Sequence, residues 1–177
     1  MKKGPGRLAA GAVADGLKKA LMNEIEGREF YRMAARNATT GGVRRMFEFL
    51  GDEEEKHREA ILAQVARMAE GKAPRMVRGA ASRKGIGAFR SPLFTPDLVA
   101  RGRNVEGEAA ALSIGMTLEK RAIAQFAALR RKVTEDEAAA KLFDDLIAWE
   151  RDHLDVLARQ YAQLREMYWE EARFWPF

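Results

Sequence analysis

The stretch Glu53-Glu54-Glu55-Lys56-His57 sets a carboxylate and an imidazole three residues apart, at Glu54 and His57. Around it Val43, Phe47, Leu50, Glu54, His57, Ile61 and Val65 step by three and four residues. That spacing puts all of them on one face of a helix, and the face is otherwise apolar. A buried stripe is thus interrupted near its middle by an acid and, one turn on, by a histidine. Trp149-Glu150-Arg151-Asp152-His153 repeats the arrangement inside the stripe Leu146, Glu150, His153, Leu157, Tyr161 and Leu164. The two motifs use both of the chain's histidines.

Two further stripes carry one acid each. The first runs Val13, Leu17, Ala20, Glu24, Gly27, Tyr31, Ala34, and the second Leu112, Met116, Glu119, Ile123, Phe126. Proline occurs only at positions 5, 74, 92, 96 and 176, which leaves 6–73 and 97–175 free of it and rich in good helix formers. The breaker cluster Asn37 to Gly42 divides the first stretch. Val133 divides the second, followed by Thr134-Glu135-Asp136-Glu137, which reads as a capping box with Thr134 at the N-cap. These signals predict helices over 12–37, 42–70, 104–132 and 135–168, a crossover over 71–103 and an aromatic tail over 168–177. The expected fold is all-α, an antiparallel four-helix bundle forming one domain over 1–177, with one long crossover between helices 2 and 3.

Composition excludes several classes. With 177 residues and no cysteine, the chain has no disulfide framework, no thiolate-held zinc or iron–sulfur cluster and no thiol nucleophile. Its longest uncharged run is the ten residues Ala109 to Leu118, too short to span a bilayer, so no membrane association is expected. The apolar part of Met1 to Asp15 is short and broken by Gly11, so a signal peptide is not read and a cytoplasmic location is expected. Net charge is +5, yet Lys72 to Arg103 holds eight basic residues against Asp97 alone. That stretch reads as a solvated basic crossover packed along the bundle, in preference to a nucleic-acid docking segment. Tyr168, Trp169, Phe174, Trp175 and Phe177 make the terminus aromatic; it is read as capping the bundle end or packing on a second subunit.

Six side chains then carry the chemistry: Glu24, Glu54, His57, Glu119, Glu150 and His153. Four buried carboxylates repel one another, and no arginine or lysine shares their stripes. Two divalent cations would cancel four negative charges, with the imidazoles neutral. One glutamate from each of two helices plus Glu-x-x-His from each of the others is the donor set of a di-metal carboxylate centre. Oxygen with some imidazole suits iron or manganese. The separations match between halves: 30 residues from Glu24 to Glu54 and 31 from Glu119 to Glu150, with Tyr31 and Phe126 each seven residues after the isolated acid. The halves read as a duplication about a pseudo-twofold axis. Tyr31 has two readings, a hydrogen-bond partner of a ligand carboxylate or a core tyrosine. Gly27 and Gly115 lie near the acid level, where close packing or oxidant access accounts for a glycine.

These residues resemble the ferritin-like superfamily, in its rubrerythrin and bacterioferritin branches, over roughly residues 12–165. Glu24-Ile25-Glu26-Gly27-Arg28-Glu29-Phe30-Tyr31 is similar to that family's first-helix ligand and following aromatic pair, and the two Glu-x-x-His motifs to those of its second and fourth helices. The resemblance implies a ferritin-like bundle with two iron ions. Glu54 and Glu150 would bridge, Glu24 and His57 would hold one iron, and Glu119 and His153 the other. It implies reduction of O2 or H2O2 at a di-ferrous centre, in iron oxidation and oxidative-stress protection, by a homodimer or higher homo-oligomer. The other readings are a rubrerythrin-like peroxidase and a metal-binding or DNA-associated protein without turnover. The chain departs from the family pattern in three places. It has no cysteine for a rubredoxin module, so an electron donor would be a separate protein. It has Ala122 where rubrerythrins tend to carry an extra carboxylate, which bears against redox-linked iron movement and peroxidase activity. It has Glu55 where bacterioferritins place a haem-ligating methionine, so no haem is expected there.

Overall fold

The computed structural model describes residues 7–73, 86–89, 91, 93–94 and 105–171. Four helices make up the bundle: α1 (Arg7–Asn37), α2 (Gly41–Ala69), α3 (Val105–Arg130) and α4 (Glu137–Glu171). No strand occurs among the described residues. No helix among them is long and apolar enough to cross a membrane.

Local chemistry sets the helix ends. At the α1–α2 turn the Asn37 side chain donates to the Met33 carbonyl at 2.9 Å. Thr40, in extended backbone, then caps α2 by accepting from the Val43 amide at 3.2 Å. Helix α2 closes in a Schellman motif. The Lys72 amide donates to the Arg67 carbonyl and the Gly71 amide to that of Met68, both at 3.0 Å. Gly71 sits there at φ +72°, a conformation that favours glycine.

The expected Thr134 cap of the fourth helix is not the one used. Asp136 caps α4, its Oδ1 accepting from the Ala138 and Ala139 amides at 3.1 and 3.0 Å. A carboxylate there also meets the positive end of the helix dipole, and Thr134 stays in the preceding turn. Other boundaries differ as well. Helix α1 begins at Arg7 rather than 12, and α3 ends at Arg130 rather than 132. Helix α4 runs on through Tyr168 and Trp169, which are therefore helical rather than part of a tail. The Arg165 guanidinium sits over the Trp169 ring at 4.6 Å. Phe174, Trp175 and Phe177 lie outside the described residues. One stripe position is also corrected: Val65 is 39% exposed, and Gln64 is buried in its place. Seven residues nearly complete two helical turns, whereas the eight from His57 to Val65 overshoot by about 80°.

Side-chain contacts fix the helix directions. Gly16 approaches Leu129, Tyr31 bonds Glu119 and Thr39 bonds Glu108, so α3 runs antiparallel to α1. His57 stacks on Trp149 and Glu54 meets His153, so α4 runs antiparallel to α2. Each hairpin is itself antiparallel, so α2 and α3 point the same way and the crossover must traverse the bundle. Its described part lies on α2 and α4, with Ile86 and Phe94 buried and Phe49 and Phe89 in ring contact at 5.2 Å. The buried Gln160 amide fastens it, donating to the Phe89 carbonyl at 2.7 Å and the Ser91 carbonyl at 3.0 Å. Its oxygen accepts from the Leu93 amide at 3.1 Å. The basic residues Arg75, Arg78, Arg83 and Lys84 lie outside the described residues.

Two apolar clusters fill the interior. One contains Tyr31, Phe47, Leu50, Leu112 and Leu157, the other Leu17, Ile61, Phe126, Phe143 and Leu146. The acid-bearing level of each stripe falls between them. The capping assignment is directly testable by thermal unfolding. Asp136→Ala is expected to cost about 1 kcal/mol, lowering the midpoint by roughly 2–4 °C in a chain of this size. Thr134→Ala is expected to stay within about 0.5 kcal/mol of wild type.

Candidate metal centre

The three consecutive glutamates of α2 diverge because successive helical residues turn by about 100°. Glu53 is buried and receives Lys56 at 2.6 Å. Glu55 faces outward between Arg28 and Arg58, whose hydrogen bonds hold its pKa down to about 2. Glu54 alone turns to the bundle axis, where it is 3% exposed.

Around that axis the structure gathers Glu24, Glu54, His57, Glu119, Glu150 and His153, all buried. His57 Nδ1 lies 3.4 Å from Glu24 Oε2, 3.4 Å from Glu54 Oε2 and 3.8 Å from Glu150 Oε1. His153 Nδ1 lies 3.2 Å from Glu54 Oε1, 3.6 Å from Glu119 Oε1 and 3.8 Å from Glu150 Oε2. Glu54 and Glu150 therefore each turn one oxygen to one histidine and the other oxygen to the second. Glu24 approaches His57, and Glu119 approaches His153. One donor atom from each of Glu54, His57, Glu150 and His153 fits within 4.8 Å of the others, so these four could hold a metal ion.

Several of these atoms have no hydrogen-bond partner: both oxygens of Glu24, both ring nitrogens of His57 and Oε1 of Glu150. Buried polar atoms are ordinarily paired, so such a group of orphans fits a site built for cations. A set of four carboxylates and two imidazoles fits two hard or borderline divalent ions. Without cations, protons balance the charge. Burial, then the facing Glu54 carboxylate, raises the Glu24 pKa well above the carboxylate range. Burial, then Glu24, does the same at Glu150. Burial also pushes Glu54 up, but the charge and hydrogen bond of His153 with the His57 contact outweigh it and hold Glu54 ionised. At His153 burial opposes protonation, yet the facing Glu54 and Glu119 prevail and raise its pKa well. At His57 burial prevails over Glu54, and the ring is kept neutral.

The surroundings break the symmetry of the two halves. Tyr31, fully buried, donates its hydroxyl to Glu119 Oε1. Burial, then the Glu119 charge, raises its pKa well above the phenol range, so it remains a donor. A side chain at Gly115 would press on the Tyr31 ring and Leu157, with contacts of 3.2 Å from its Cβ, so the glycine makes room for the tyrosine. Phe126, the counterpart of Tyr31 in the second half, has no hydroxyl, and Glu24 lacks the partner that Glu119 has. Trp149 stacks on His57 with centroids 4.4 Å apart, and His57 stacks on His153 at 5.0 Å. The Trp149 contact had no signal in the sequence beyond its place beside Glu150. The buried Gln160 and Glu108 were equally silent there, since both depend on partners 67 or more residues away. Ala122 is buried and Glu55 is engaged by arginines.

Two measurements follow from this charge balance. Glu24, Glu150 and His153 must give up protons to hold cations, so Co(II) or Mn(II) uptake is expected to release protons. Affinity is then expected to fall as pH is lowered from about 8 to 6, read by calorimetry in buffers of different ionisation enthalpy. In the metal-free chain the raised Glu24 pKa contributes stability below the ordinary carboxylate value of 4.5 that is lost as pH rises. Glu24→Gln is thus expected to raise the metal-free unfolding midpoint at pH 8 by roughly 2–4 °C, the size of about 1 kcal/mol, with no gain near pH 4.

A comparison with protein families finds that the rubrerythrin model matches residues 15–161, most of the 177-residue chain. No curated protein and no solved structure matches it. The matched span runs from the first turns of α1 to beyond His153 and includes all six buried acid and imidazole residues. The chain belongs to the rubrerythrin family.

Proposed function

We propose that this protein is a di-iron oxidoreductase that reduces O2 or H2O2 at the buried glutamate–histidine cluster. The observation that carries the proposal is the divided facing of Glu54 and Glu150, each with one oxygen toward His57 and the other toward His153. Two cations would be held with those carboxylates between them, Glu24 and His57 completing one position and Glu119 and His153 the other. Iron is the metal of the proposal, and manganese suits the same donors.

When bound, the two ions supply the electron pair that reduces the oxidant. The chain's own residues do the rest. Burial of the six side chains keeps bulk water from the centre. Tyr31 fixes the orientation of the Glu119 carboxylate by its hydrogen bond. The raised pKa values of Glu24 and Glu150 favour protons there in the metal-free chain, which entering cations would displace. The 177 residues contain no cysteine for a thiolate-held iron, so a separate electron-donor protein is part of the reading. So are a cytoplasmic location, a role in iron oxidation and oxidative-stress protection, a homodimer or higher homo-oligomer and a single domain over 1–177.

Rapid mixing of the Fe(II)-loaded chain with O2 and, separately, with H2O2 tests the reading. Oxidation much faster than that of free Fe(II) by one oxidant is expected, and names it; solution-like rates for both would mean a metal-holding protein without turnover. Glu54→Ala and Glu150→Ala are expected to bring iron content from about two per chain to below about one, because each removes a shared donor. Tyr31→Phe is expected to retain both ions and slow oxidation by about 10-fold or more, the usual cost of losing a group that orients a ligand.

A further inference from the structure

A cleft between α1 and α3 opens onto the cluster. Glu24, Glu54, Glu119 and Glu150 form its floor, and Gly27 and Ala122 stand among its walls. Leu118 is a third wall residue, whereas Gly27 and Ala122 carry no side chain longer than a methyl group. A Cβ at Gly27 would lie 3.4 Å from the Glu54 carboxyl carbon, directly over that side chain. Glu24, both of whose buried oxygens lack a hydrogen-bond partner, and Glu150, whose buried Oε1 lacks one, line this space. Its free volume is about 10 Å³, about one water-sized sphere. Asn23 and Arg121 form the outer rim. Asn23 donates across the rim to Gln125 at 3.1 Å, and Arg121 pairs with Glu26. Beyond the Asn23–Gln125 bond lies a surface groove lined by Lys18, Lys19 and Met22, with the same two amides on its inner edge.

We propose that metal ions and the small oxidant reach the cluster through this cleft, with Gly27 and Ala122 as its small-residue throat and the Asn23–Gln125 bond as a latch at its mouth. The inference rests on the metal reading above and adds the route. Gly27 and Ala122 put no long side chain over the carboxylates on this side, and Glu24 and Glu150, which have buried oxygens without hydrogen-bond partners, line the same space. The four carboxyl groups of the floor offer oxygen donors to a cation once it has passed the rim. Free space of about one water-sized sphere matches a largely dehydrated ion, O2 or H2O2 in size. The latch is a single amide–amide hydrogen bond between half-buried side chains, which opens without disturbing the helices.

Stopped-flow mixing of the metal-free chain with Co(II), followed by the visible absorption of the bound ion, separates route from site. Ala122→Met, which fills the throat, is expected to slow loading at least about 10-fold with the final band unchanged. Asn23→Ala, which removes the latch, is expected to speed loading several-fold with the same final band. Equal rates in wild type and Asn23→Ala, or an unslowed Ala122→Met, with normal final bands, would overturn the route and leave the metal centre standing. Absence of any Co(II) band in wild type would overturn both.

Discussion

Four carboxylates on the axis of a helical bundle are a constraint that everything else in this protein answers to. Ions of one sign confined to an apolar interior repel one another and lose their hydration, and basic side chains that could offset them are kept to the outside. Arg28, Arg58 and Lys56 serve Glu55 and Glu53 instead, on the flanks of α2. The axial acids are left with protons, two imidazoles and one phenol. That arrangement lets the metal-free chain fold and still leaves donor atoms open. It works because the level of the acids is bounded on both sides by clusters of aromatic and aliphatic side chains, which carry the stability that the polar layer does not.

The two halves follow one plan and differ where chemistry would need a difference. Glu54 and Glu150 sit in equivalent places, yet burial and the neighbouring acids push the Glu150 pKa up while His153 holds that of Glu54 down. His57 is kept neutral beneath Trp149, while His153 is drawn toward protonation by the acids it faces. Tyr31 supports Glu119, and the corresponding Phe126 offers Glu24 nothing. Two cation positions built in this way would be unequal in affinity and in the ease with which each exchanges its surroundings. A pseudo-symmetric fold thus supplies a shared donor geometry, and single substitutions around it supply the asymmetry.

Close helix approach links that geometry to its setting. Gly115 admits the Tyr31 ring between α1 and α3, and Gly27 leaves Glu54 uncovered on the same side. The same small residues that let backbones approach also leave narrow free space beside the acids. On the face of α2 and α4 the described part of the crossover is pinned down by Gln160.

Much of this was legible in the residues alone. Stripe periodicity located four helices, proline placement located the crossover, and acids recurring inside apolar stripes marked Glu24, Glu54, His57, Glu119, Glu150 and His153 as residues with a common purpose. A helical face is a local property, so spacing suffices to assign it. Other features needed the folded chain. Competition between Thr134 and Asp136 for one cap depends on where the backbone turns, and the burial of Gln64 over Val65 depends on the drift of a 3.6-residue period along a long helix. Tyr31 on Glu119, Trp149 on His57 and Gln160 on the crossover are contacts between distant segments. The sequence by itself determined which faces are buried and which acids they carry. Tertiary structure decided which oxygen faces which nitrogen, because that depends on helix rotation and rotamer choice under the packing of all four helices at once.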